Sequence, residues 1–192
     1  MNGGGLMVYV LLAEGFEELE AVEPIDVLRR CGIEVKTIGV SGEYVTGSNG
    51  ITIKVDMTLS ELDTANAFET NHKKRMLILP GGPGRTNILK NEKAMNFVRI
   101  CCETEGVLIA AICGAPEILG ETGVLTGSKY TCYPGLQSGI SCGEFVDKPV
   151  VIDNNFTTAQ GAGTSKEFAF AIAEQLVGKE KADEIYTRMC YR

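Results

Sequence analysis

In VLIAAICGAPEIL, residues 107–119, an apolar run ends on Cys113 and passes at once into Gly114-Ala115-Pro116. A sharp strand-to-helix turn needs small neighbours, proline suits a first helical turn, and the amide dipoles there favour an anion. A thiol held at such a turn is expected to have a depressed pKa and to serve as a nucleophilic thiolate. The competing reading, a small buried hydrophobe, is the commoner fate of a cysteine. The strand-Cys-Gly-Ala-Pro setting favours the nucleophile. LPGGPG, residues 79–84, offers backbone N–H groups with no side chain in the way. The amides of Gly82 and Gly114 are therefore a candidate oxyanion hole, with a plain turn after a strand as the alternative.

Acid–base help would come from the set Glu14, Glu17, Glu18, Glu20 and Glu23, which is too dense for every member to be catalytic. Most of it reads as a solvated first helical turn, where carboxylates suit the dipole. Glu20 lies near the margin of an apolar stripe and one turn before Pro24, so an inward orientation stands beside the surface reading that spacing alone favours. Turned inward, its carboxyl would have a raised pKa and would share a proton with a thiolate. Cys101 and Cys102 read as helix packing residues, and His72 as a solvated imidazole in a polar loop. Cys132 ends a short strand before Tyr133-Pro134. GAGTS, 161–165, reads as a turn and helix start capped by Thr164 or Ser165, without P-loop spacing.

These residues need a scaffold to bring them together. LMVYVLL, 6–12, is a continuous apolar run suited to a strand buried on both faces. A helix follows, with Leu19, Val22, Ile25 and Leu28 recurring and Gly32 as its stop. Strands are expected at 33–40 and in ITIKV, then at MLILP before GGPG. A helix carrying Phe97, Val98 and Cys101 comes next, followed by the strand GVLIAAI and the helix APEILGETG. Short strands near 129–132 and 145–159 and helices over 165–177 and from about Glu180 complete the pattern. Strands alternating with helices imply an α/β sandwich with a mostly parallel sheet. Ligands in such folds bind beyond the carboxyl ends of the strands, where LLAEGFEE, LPGGPG and AAICGAP all arrive.

The 192 residues, 44% apolar, fit one domain spanning 1–192. A net charge of −7 argues against nucleic acid as a partner, since a phosphate footprint needs clustered Lys and Arg. The chain contains no apolar run of membrane-span length and no secretory pattern in MNGGGLMVYVLL, so a cytoplasmic protein without membrane association is expected. Seven irregularly spaced cysteines read as reduced thiols. With a single histidine and no CxxC, no metal site is expected.

Taken with GFEELEAVEPIDVLRRCGI, LPGG, AAICGAPEIL, GSKYTCYPG and GAGTSKEFAFAIAEQLVGKEKA, in this order and spacing, the sequence resembles the ThiJ/PfpI superfamily, in the branch of the parkinsonism-associated deglycase. The resemblance implies a flavodoxin-like three-layer sandwich, related to class I glutamine amidotransferase domains and usually homodimeric. It matches Cys113 to the family's reactive cysteine, Glu20 to the carboxyl that hydrogen-bonds it, and Gly82 and Gly114 to the amides facing the oxyanion. Glu17, Cys132 and Tyr133 would line the pocket. It further implies cofactor-independent action on a small-molecule aldehyde or glycated substrate, of glyoxalase or deglycase type, in stress protection. The alternative is a redox-sensing protein or chaperone that uses Cys113 oxidation without turnover. Two departures stand out: Tyr133 occupies a position where the branch commonly has histidine, and Asn49 one where relatives often carry arginine. The first excludes a peptidase-like Cys-His pairing.

Overall fold

The structure, a computed structural model, describes residues 5–64, 67 and 74–191. His72 and most of the polar stretch around it lie outside the described residues. The chain opens with strand β1 (Leu6–Leu12), helix α1 (Glu18–Arg30) and strand β2 (Glu34–Gly39). A hairpin of β3 (Tyr44–Thr46) and β4 (Thr52–Lys54) follows, then the two-residue β5 (Met57–Thr58). After β6 (Lys74–Leu79) come α2 (Arg85–Leu89) and α3 (Glu92–Glu103), then β7 (Val107–Ile112) and α4 (Pro116–Thr122). Short strands β8 (Lys129–Tyr130) and β9 (Glu144–Phe145), the pair β10 (Val150–Asp153) and β11 (Phe156–Ala159), and helices α5 (Ser165–Val177) and α6 (Lys179–Arg188) complete it.

The main sheet has the order β10-β11-β7-β6-β1-β2-β5, and every pairing is parallel except the β10–β11 edge. Alternation along β1 sends Met7, Tyr9 and Leu11 into one core, with Phe97, Val98 and Cys101 of α3 and Ile118 of α4. Val8, Val10 and Leu12 enter the other, with Ala21, Ile25 and Leu28 of α1 and Phe168 and Ile172 of α5. The result is a three-layer α/β sandwich in which the apolar runs of the central strands have helices over both faces.

Chain order reverses about β1 and β6, since β2 and β5 lie to one side and β7 and β11 to the other. Such a switch point opens a crevice at the carboxyl ends of the strands. The first turn of α1, which carries Glu20, and the turns after β6 and β7, which carry Gly82 and Cys113, meet there.

The expected stripe on α1 differs in part. Leu19 and Val22 are 57% and 44% exposed, whereas Glu18, Glu20, Ala21, Pro24, Ile25, Val27 and Leu28 are buried. Residues three apart drift by about 60° per step around a helix, so a strict recurrence of three winds off one face. The face that packs follows the spacing of Ala21, Ile25 and Leu28, with Glu20 and Glu18 carried inward beside it.

Candidate active site

Cys113 is the residue after β7, with φ of 63°, in the left-handed region that non-glycine residues seldom occupy. That conformation costs about 1–2 kcal/mol for a residue with a Cβ. The surrounding chain over-determines it. The Cys113 amide donates to the Ala159 carbonyl at 2.9 Å, and its own carbonyl accepts from the Tyr133 amide at 2.7 Å. Strands on one side and the turn after β8 on the other thus pin the elbow that aims the sulfur. Pro116 takes the first turn of α4, as its missing N–H and fixed φ allow.

Glu20 is fully buried on α1. Its backbone N–H donates to the Glu17 carboxylate at 2.9 Å, so Glu17 caps the helix that carries it. One carboxylate oxygen, Oε2, accepts from the Gly81 amide at 2.8 Å. The other, Oε1, has no hydrogen-bond partner among the described residues, and the Cys113 thiol lies close enough to the carboxyl to stabilise its charge. Gly81 has to be bare for this contact, whereas Gly161 only borders it. A Cβ at Gly81 would lie 2.7 Å from Cys113 Cβ and 2.8 Å from Glu20 Oε2. A Cβ at Gly161 would stand 3.9 Å from Glu20 Oε1 and 4.0 Å from Cys113 Sγ.

Burial pushes the Glu20 carboxyl up to about 7, against the Gly81 amide and the thiol, which stabilise its charge. The expected depression of the Cys113 pKa is not observed. Burial first, and then the facing Glu20 carboxylate, push this thiol up to about 12, against the pull of the Gly82 and Gly114 amides on the sulfur. The reason is physical: α4 is only seven residues long, and its first turn cannot outweigh desolvation and a neighbouring negative charge. The carboxylate's push exists only while Glu20 is ionised. Protonation of Glu20 removes it, so the titrations of the two groups are coupled.

The sulfur opens onto a cavity of about 270 Å³ lined by Gly82, Pro83, Arg85, Cys113, Gly114, Tyr133 and Leu136. Of the residues expected to line it, Tyr133 does so. Glu17 and Cys132 are not among its walls: Glu17 caps α1, and Cys132 is buried with its Sγ donating to the Tyr133 carbonyl at 3.6 Å. Sequence reasoning missed Arg85, Pro83 and Leu136 as lining residues, and Gly81 as a spacer. It also missed Glu18. This buried carboxylate accepts from the Asn49 amide at 2.7 Å, from Asn49 Nδ2 at 2.9 Å and from the Ile51 amide at 3.3 Å, and so holds the β3–β4 hairpin against the start of α1. Asn49 therefore serves the scaffold. Among the described residues no three metal-ligating side chains gather, and no helix is long and apolar enough to cross a membrane.

The family model described as DJ-1/PfpI family matches residues 7–175. The chain belongs to the DJ-1/PfpI family. It is 38% identical to protein dj-1beta of Drosophila melanogaster over 179 residues, 92% of each chain. The crystal structure of that fly protein superposes with a TM-score of 0.87 at 36% identity, covering 98% of this chain and 99% of the other. A deglycase of Pyrococcus horikoshii is 36% identical over 157 residues, 81% of this chain and 90% of its own. Toxoplasma gondii DJ-1, solved in an oxidized form, matches with a TM-score of 0.87 at 32% identity, covering 97% of this chain and 99% of the other. DJ-1/PfpI membership thus agrees with the mostly parallel sandwich and with deglycase-named relatives.

Proposed function

We propose that this DJ-1/PfpI chain is a cofactor-independent enzyme acting on reactive carbonyls, of glyoxalase or deglycase type, with Cys113 as nucleophile. The observation that carries this reading is the pinned Cys113 thiol beside the buried Glu20 carboxyl, with the Gly82 and Gly114 amides acting on the sulfur. Sulfur adds to the aldehyde carbon of a 2-oxo aldehyde as the thiol's proton passes to Glu20 and on to the carbonyl oxygen, which gives a hemithioacetal and leaves Glu20 ionised. Glu20 then moves a proton from that carbon to its neighbour, through an enediol, while the amides of Gly82 and Gly114 hold the oxyanion. The resulting thioester is hydrolysed by water to a 2-hydroxy acid, and the thiol returns. Carbon is oxidised at one position and reduced at the next, so no cofactor is consumed. Lactate formation from methylglyoxal by the purified protein, compared with Cys113→Ala, tests this; equal rates would refute it.

A second reading is redox sensing or chaperoning through oxidation of Cys113 without turnover. The oxidized form of the Toxoplasma relative supports it, as do the Gly82 and Gly114 donors that would meet sulfinate oxygens. Intact mass after mild peroxide distinguishes it: Cys113 should gain oxygen before the other thiols do. The protein in this reading is a cytoplasmic homodimer, with exposed Leu19, Val22 and Ile51 as the apolar surface available to a second copy.

A further inference from the structure

Arg85 stands on the wall of the Cys113 cavity, apart from the burial, the Glu20 carboxylate and the two amides that set the thiol's proton affinity. Its stem crosses Gly114, where a Cβ would lie 2.6 Å from Arg85 Cδ and 2.9 Å from Nε. A side chain at 114 would push the arginine away from the turn that carries the sulfur. From there Nε donates to Glu117 Oε2 at 2.8 Å, and Nη1 reaches the Gly82 carbonyl at 3.4 Å. The guanidinium is thus fixed along one edge by the first turn of α4. A planar five-donor group held in this way keeps N–H donors in a fork that matches a carboxylate.

Arg85 is the basic member of a wall otherwise made by glycines, Pro83, Tyr133 and Leu136 around the sulfur. In a chain of net charge −7, long-range attraction does not draw anions to the protein, so preference for an anion has to be local. We propose that Arg85, held by Glu117, selects electrophiles that carry a negative group. The substrate class is then 2-oxo aldehydes that also bear a carboxylate, in preference to neutral glyoxals. That substrate class rests on the carbonyl chemistry proposed above, whereas the charge preference does not.

The probe is a pair of alkylating reagents of nearly equal size, iodoacetate and iodoacetamide, with each rate at Cys113 read by peptide mass spectrometry. Their ratio cancels any change in thiolate fraction or in folding. Arg85→Gln keeps the packing carbons over Gly114 and should lower the iodoacetate-to-iodoacetamide ratio by on the order of tenfold, the lower end of charge focusing in a cleft. Arg85→Lys should retain more of the ratio, and Glu117→Gln should raise it. A ratio unmoved in Arg85→Gln, or both rates falling together, overturns the proposal. A lowered ratio in a protein that makes no 2-hydroxy acid refutes turnover and leaves the charge selection standing. Turnover with an unmoved ratio does the reverse.

Discussion

Replacing Glu20 by glutamine should change how stability depends on pH, and in a direction that burial dictates. The carboxyl is fully buried, and its titration moves from 4.5 to about 7. At pH values below 4.5 the folded and unfolded chains both carry this proton, and no penalty arises. As pH rises towards 7, the unfolded chain releases the proton first, so stability falls until the folded carboxyl has ionised as well. A displacement from 4.5 to about 7 corresponds to about 3 kcal/mol, of which about 2 to 3 kcal/mol falls between pH 5 and pH 8. The clean comparison uses Cys113→Ala as the background, so that the thiol's proton does not enter. Urea denaturation of Cys113→Ala and of Cys113→Ala/Glu20→Gln at pH 5 and pH 8 gives four free energies. The glutamate form should lose about 2 to 3 kcal/mol more than the glutamine form over that interval. Parallel pH dependences would refute the reasoning and return Glu20 to a solvated surface carboxylate.

Gly81→Ala would place a Cβ 2.7 Å from Cys113 Cβ and 2.8 Å from the Ile112 carbonyl. It should lower the urea midpoint by about 1–3 kcal/mol equivalent and alter the rate of Cys113 alkylation. Glu18 lies in a buried site where burial raises its pKa, but bonds from Asn49 and Ile51 outweigh this and hold it below the usual carboxylate range. Glu18→Ala should therefore cost about 1–3 kcal/mol and speed amide hydrogen exchange at Asn49 and Ile51. In the proposed homodimer reading, Leu19→Glu, on the exposed face of α1, should shift the mass in sedimentation from dimer to monomer, and an unchanged mass would refute Leu19 as a contact. Tyr133→His should produce no gain in peptide or amide hydrolysis.

The strand ends that form the site could be read from sequence because each is an apolar run cut off by small residues: LPGG after β6, and ICGAP after β7. Cys113 followed directly from that pattern. Glu20 did not, because its burial depends on which way α1 faces, and the recurrence of Leu19 and Val22 pointed to a face that proved exposed. The direction of the thiol's pKa was also misread. A helix start is visible in sequence, whereas the desolvation and the carboxylate that outweigh it come from α1, more than eighty residues away in the chain. Glu18 and Arg85 were illegible for the same reason: their partners, Asn49 and Gly114, are joined to them only by the fold.

The most direct test of the central claim, that Cys113 attacks and Glu20 carries the proton between adjacent carbons, is methylglyoxal turnover in D₂O with analysis of the lactate. The account predicts lactate from the wild-type protein, its C2 hydrogen taken from the substrate or, where the Glu20 proton exchanges first, from solvent, and loss of its formation in both Cys113→Ala and Glu20→Gln. Lactate that forms equally well without Cys113, or with glutamine at position 20, would contradict it.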